Sequence, residues 1–180
     1  LAFEAFHDHD LVLRITGDDI LCDPEYLGKT VDYHLTTGAD YTDAKALPSG
    51  TEVEVFDASL LRYILSHAVD TSGTEYLTNY ITDNQHLFSC HSLPVSSQHS
   101  VKARLTLDTL EDYSVIGQMV EAFAEMGKEF DYTMDDIADY FTNNPSELSK
   151  NQKIVQRKIP MQFDTKIAIS KNVLKPLVTV

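Results

Sequence analysis

Lysine and arginine are scarce in this chain: 14 against 28 aspartates and glutamates over 180 residues, a formal charge of −14. A surface with that balance repels phosphate backbones, which argues against general nucleic-acid binding. It also means that a phosphate-bearing substrate needs a cation to screen its site. Long apolar runs are missing too. None approaches the ~20 residues that a membrane helix requires, and no basic start, apolar stretch and small-residue cleavage site marks the chain for secretion. The expectation is a cytoplasmic protein that binds neither nucleic acid nor membrane. Cysteine is limited to Cys22 and Cys90, whose spacing fits no metal site. They read as two free thiols in a reducing compartment, with a disulfide between them as the alternative. The seven histidines give no metal-ligand pattern, and His7 and His9 read as a solvated loop. A P-loop, a G-x-S-x-G elbow and a D-x-D-x-D-G calcium loop are all absent. Internal repeats and low-complexity tracts are absent as well. The chain opens on Leu1 and not on Met, which sets the expectation that the natural N-terminus lies further upstream.

What is present reads as a globular chain: 43% hydrophobic residues, a mean hydropathy of −0.20, and a length that fits one domain or slightly more. Residues 11–15 form a β-prone run stopped by Thr16-Gly17-Asp18-Asp19. Pro24 suits the first turn of a helix, Leu27, Val31 and Leu35 recur along it, and Gly38 sits where it would end. Residues 53–56 look like a strand. Asp57 is placed to cap a helix carrying Leu60, Leu61, Ile64, Leu65 and Ala68. A short helix opens at Thr74. Strands are expected around residues 87–90 and 101–107, and Asp40 falls in a loop. Thr109 with Asp112, and Thr133 with Asp136, resemble capping boxes; the first helix carries Val115, Met119 and Phe123 on one stripe, and the second ends before Pro145. Residues 1–149 form the organised unit. The tail, 150–180, is richer in basic residues and reads as a linker or the start of a further segment.

Strands alternating with helices imply an α/β layer fold with a mainly parallel sheet. In such sheets ligands bind beyond the carboxyl ends of the strands, so Asp18 and Asp108 can face one crevice although far apart in sequence. Asp18 follows Arg14-Ile15-Thr16-Gly17 and ends its strand with free oxygens that suit magnesium. Asp108 ends Arg104-Leu105-Thr106-Leu107. Taken locally, each reads first as an ordinary turn or helix-cap residue. Residues 47–56, Leu-Pro-Ser-Gly-Thr-Glu-Val-Glu-Val-Phe, form a shaped loop leading into a strand. Glu52 and Glu54 then project from one face and can accept hydrogen bonds from sugar hydroxyls; a polar outer face on an edge strand is the alternative.

Together these pieces resemble the cytidylyltransferase family of the spore-coat polysaccharide type, with the ketodeoxyoctulosonate and acylneuraminate cytidylyltransferases as relatives. That family shows R-x-T-G-D-C-P, L-P-x-G-x-x-V-E-V-F, E-H-V-T and R-x-T-L-D-T-x-E-D in order. This chain shows Arg14 to Asp18, Leu47 to Phe56, Glu75-Tyr76-Leu77-Thr78 and Arg104 to Asp112. The resemblance implies a Rossmann-like nucleotide-diphospho-sugar transferase fold, and a reaction of a nucleoside triphosphate, CTP by likeness, with a sugar. The products are a nucleotide-sugar, for surface polysaccharide synthesis, and pyrophosphate. It implies Asp18 and Asp108 as the catalytic carboxylates holding magnesium, and Arg14, Thr16, Glu52, Glu54, Glu75 and Arg104 as substrate-binding residues. Asp19 and Ile20 depart from the family's Cys-Pro, and Tyr76 from its His, so a non-catalytic regulatory or scaffold domain of the same fold is the alternative. The family grips its nucleotide with a glycine-rich, basic loop upstream of the first motif. None of the thirteen residues before Arg14 forms one. The fold is therefore expected to be incomplete at its N-terminus and the chain inactive alone; a homodimer is left open.

Overall fold

The structure, a computed structural model, describes residues 7, 10–67 and 78–151, and the backbone of 169–170 and 173–174. Four strands form the main sheet: β1 (Leu11–Arg14), β2 (Tyr41–Asp43), β3 (Glu54–Asp57) and β4 (Cys90–Ser92), in the order β1-β3-β2-β4. β3 is antiparallel to both β1 and β2, and β2 is parallel to β4. Three strands thus share one direction, with β3 inserted between two of them. The expectation of a mainly parallel sheet holds for strand direction and fails for pairing, where two of the three ladders are antiparallel. The reason is that β3 arrives from the loop of residues 47–53 and not through a crossover helix. A separate two-stranded antiparallel pair, β5 (Ile169–Ser170) with β6 (Val173–Leu174), lies in the tail.

Helix α1 (Pro24–Thr37) connects β1 to β2. It starts where Pro24 and the Asp23 cap direct it and ends on Gly38, whose φ of 61° no β-branched residue would adopt readily. Its buried stripe is Tyr26, Thr30 and His34, while Leu35 is 61% exposed. The expected stripe of Leu27, Val31 and Leu35 is therefore one residue, about 100° of helix, out of place. Polar chemistry sets the rotation: His34 Nδ1 bonds Thr42 Oγ1 at 2.9 Å, and its Nε2 lies 3.6 Å from Asp57. β3 runs directly into α2 (Ala58–His67), so Asp57 ends the strand and stands immediately before the helix. The α2 stripe of Leu60, Leu61 and Ile64 packs with Tyr41, Phe56 and Ile81 of α3 (Asn79–Asp83) in one apolar cluster. Leu65 stays 47% exposed. The helix expected at Thr74, with Ala68 and Glu75, lies outside the described residues.

α4 (Leu110–Glu125) and α5 (Met134–Asn143) both open with the expected capping boxes, Thr109 with Asp112 and Thr133 with Asp136. Val115, Met119 and Phe123 are buried in the second cluster, with Met134, Ile137 and Phe141 of α5. Burying such side chains contributes about 1.5–3 kcal/mol each. Asp23 joins the two halves: one carboxylate oxygen accepts from Tyr26 N at 2.9 Å, the other from Met134 N at 3.1 Å, so a single buried acid serves the starts of α1 and α5.

Residues 101–107 do not form the expected strand. They run extended with one parallel bridge, Ser49 to Arg104, because their neighbour is the loop after β2 and not another strand. Leu105 N donates to Ser49 O at 2.6 Å. Gly50, at φ 93°, presses its bare Cα against the backbone of Leu105 and Thr106, where a methyl group would overlap their atoms. Gly50→Ala is thus expected to destabilise the protein by at least about 2 kcal/mol, from strain and loss of this docking together. An unchanged denaturant midpoint would show that the loop does not rest there.

Candidate active site

After β1 the chain turns at Thr16, whose carbonyl accepts from Asp19 N at 3.1 Å and whose hydroxyl bonds Asp19 Oδ2 at 2.5 Å. Asp18 is left half-buried at the tip. Its carbonyl accepts from Leu107 N at 3.0 Å, and its carboxylate from the Thr106 hydroxyl at 3.3 Å. The Thr16 hydroxyl is the largest cause holding the Asp18 carboxyl below its ordinary value, followed by its own backbone N–H. Slight burial opposes them, and Thr106 and Asp108 add to the lowering. Asp18 and Asp108, 90 positions apart, are therefore neighbours whose carboxyl groups interact. Among the described residues no group of three His, Cys, Asp or Glu side chains gathers to hold a metal by itself. Two hard carboxylates fit magnesium, which commonly takes one or two protein carboxylates and completes its shell with water and substrate phosphate.

Asp108 is half-exposed and ion-paired to Arg104, whose guanidinium also bonds the buried Asp112 through Nε at 3.2 Å and Nη2 at 3.1 Å. Arg104 is thus engaged by two acids of its own segment, an arrangement different from the sugar contact expected of it. Asn151 Nδ2 donates to Arg104 O at 2.7 Å and to Asp112 Oδ1 at 3.0 Å. Asn151 is buried, so the organised unit reaches past residue 149.

The two glutamates of the shaped loop separate in role. Glu52 turns its Oε2 back onto Gly50 N at 2.7 Å and Thr51 N at 3.1 Å. Burial pushes its carboxyl up; those N–H groups work against the rise, and the neighbouring Asp19 adds to it. Glu52 is therefore close enough to the β1 turn to feel the charge of Asp19. Glu54 has both oxygens occupied, one by Arg14 at 2.7 Å and one by the Tyr41 hydroxyl at 2.6 Å. That pairing ties β1, β3 and β2 together. Burial first, then the bond to Glu54, raises the Tyr41 hydroxyl. Glu75 lies outside the described residues. Cys22 and Cys90 are free thiols, and burial followed by nearby acids pushes Cys22 up to about 11, which makes it a poor nucleophile.

Sequence reasoning missed Thr106, Asn151 and Tyr41 as partners of the site. Thr106 lies within a quoted motif, but its bond to Asp18 spans 88 positions and leaves no local signal.

The profile of a family described as cytidylyltransferase matches residues 1–163. The chain is similar to an uncharacterized protein of Methanocaldococcus jannaschii, 31% identical over 84% of this chain and 61% of that one. It is also similar to the spore coat polysaccharide biosynthesis protein SpsF of Bacillus subtilis, 28% identical over 79% of this chain and 59% of that one. Among solved structures, a cytidylyltransferase from Leptospira borgpetersenii superposes with a TM-score of 0.69 at 28% identity, covering 81% of this chain and 60% of that one. The chain thus spans about 60% of the length of these relatives.

Two outcomes follow from this geometry. Glu54→Ala strips Arg14 and Tyr41 of a shared acceptor and should cost about 1–3 kcal/mol, seen as a Tm several degrees lower; an unchanged Tm would deny the strut. For Asp112 burial raises the carboxyl from its ordinary 3.8, but bonds from the Thr109 hydroxyl, the Asp108 and Thr109 N–H groups and Asn151 outweigh it and leave it lowered. A lowered carboxyl adds stability that is complete above its unfolded value and is lost as pH falls through the folded one. The Tm should therefore decline below about pH 4, and Asp112→Asn should make that decline shallower while lowering the Tm at pH 7. An equally steep acid decline in the variant would assign the effect to other acids.

Proposed function

The chain belongs to the cytidylyltransferase family, and from that premise we propose that it supplies the carboxylate side of a nucleotidyl transfer. A nucleoside triphosphate, CTP by family likeness, would activate a sugar to a nucleotide-sugar with release of pyrophosphate. The observation that carries this reading is the docking of the Thr106–Asp108 segment onto Asp18, which gathers two carboxylates at one edge of the fold. What magnesium supplies when held by Asp18 and Asp108 is neutralisation of the charge that builds on the α-phosphate. The protein's own part is to keep Asp18 ionised through Thr16 and Thr106. We assign the sugar hydroxyls to Glu52, beside the β1 turn, and to Glu75 by its motif, while Arg14 and Glu54 brace the sheet. The similarity to a Bacillus spore coat polysaccharide biosynthesis protein favours a surface polysaccharide as the destination. The setting is cytoplasmic in this reading. No helix among the described residues is long and apolar enough to cross a membrane.

Extended to the relatives' full length, the protein should release pyrophosphate from CTP with magnesium and a suitable sugar. Asp18→Asn and Asp108→Asn should each depress that rate by several orders of magnitude. Asp40→Asn should change it little, since the Asp40 carboxylate accepts from Ser89 N at 2.8 Å, just before β4. The 180-residue chain alone should release none; turnover by it, or full activity in Asp108→Asn, would overturn the reading.

A further inference from the structure

Asp112 is fully buried and receives six hydrogen bonds: from Arg104 Nε and Nη2, the backbone N–H groups of Asp108 and Thr109, the Thr109 hydroxyl and Asn151 Nδ2. Two of these donors lead to Asp108. Its backbone N–H is held directly at 3.1 Å, and its carboxylate is held by the same Arg104 Nη2 that Asp112 anchors. Asn151 closes the arrangement by bonding both the Arg104 carbonyl and Asp112. Asp108 itself is 49% exposed, so its side chain would sample several rotamers without this grip.

We infer that Arg104, locked by Asp112 and Asn151, is a positioning residue that fixes the Asp108 carboxylate against Asp18 for cation binding. The inference rests on the reading that Asp18 and Asp108 share a divalent cation, and it adds a statement that reading does not contain. A guanidinium beside a metal-binding carboxylate repels the metal, so charge alone predicts that removing Arg104 tightens cation binding. Positioning predicts the reverse. Partners that orient metal-binding groups typically account for ten- to a hundredfold in affinity, and a forked guanidinium can bridge Asp108 and Asp112 where an ammonium cannot.

Manganese is the probe, titrated into the 180-residue chain while paramagnetic broadening of its backbone amide NMR signals is followed. In the wild type, broadening should centre on Gly17, Asp18 and residues 107–109, and Asp108→Asn should abolish it there. Arg104→Gln should weaken the manganese midpoint about tenfold, with Arg104→Lys weaker than wild type although its charge is kept. Thermal melts of each variant separate this from loss of fold. Equal or tighter binding by Arg104→Gln overturns the positioning role while leaving the shared cation intact. If that variant fails to fold, Arg104→Lys decides: a wild-type midpoint overturns the inference, and a several-fold weaker one supports it. No broadening at these amides in the wild type, or full broadening in Asp108→Asn, removes the cation reading and the inference together.

Discussion

A carboxylate without solvent must either find donors for its lone pairs or take up a proton, and Asp112 finds six. Those six come from three levels of structure. The Thr109 hydroxyl and N–H make the start of α4; Asp108 N and Arg104 define the approach to it; Asn151 arrives from beyond α5. The helix start, the path of residues 104–108 and the place of Asp108 are consequently one interaction. Moving any part leaves a buried charge short of partners, at about 1–3 kcal/mol for each group left unsatisfied. Asp108 in turn stands beside Asp18 because Leu107 and Thr106 bond across to it.

The same economy recurs elsewhere and changes how the chain's acidity is understood. A formal charge of −14 suggests a uniformly repelling surface. Several of the acids are instead interior fittings. Asp23 serves two helices, Asp112 and Asp136 complete capping boxes, and Asp43 is buried against Ser92 and Lys45. Helix starts favour anions because their N–H groups are unpaired and the dipole is positive there. A chain with many acids can therefore place them where they stabilise, without exposing each one.

What could be read in the sequence was what local chemistry decides. Both capping boxes, the Pro24 start and Gly38 end of α1, and the stripe of α4 stand as expected, because each depends on residues within a turn or two. β2 was not legible: Tyr41, Thr42 and Asp43 show no useful alternation, and their strand exists through pairing with Phe56 and with Cys90 to Ser92. The rotation of α1 was misjudged because polar partners, Thr42 and Asp57, claim His34 ahead of the apolar stripe. The motif around Glu54 was visible, while its bonds to Arg14 and Tyr41 were not, because those partners are 40 and 13 positions away. Residues 101–107 had the composition of a strand and lacked a strand to pair with.

The opposite shifts of two acids at the β1 turn bear on how the proposed site would work. Asp18 is lowered by donors aimed at its charged form, while Glu52 is raised chiefly by burial and further by Asp19. Asp108 acts on the carboxyl of Asp18, and Asp19, in the same turn as Asp18, acts on that of Glu52. Bringing a triphosphate to such a group against unscreened carboxylates is unfavourable at any effective dielectric. In the proposed reading a divalent cation would reverse the sign of that encounter at Asp18 and Asp108. It would also favour ionised Glu52, because a nearby positive charge stabilises the carboxylate. In the proposed reading the cation would therefore do two things at once: admit the phosphates, and turn Glu52 into a better acceptor for the hydroxyls of the incoming sugar. In that same reading the acidity at this edge of the fold is the reason that nucleotide and sugar would arrive only with a metal.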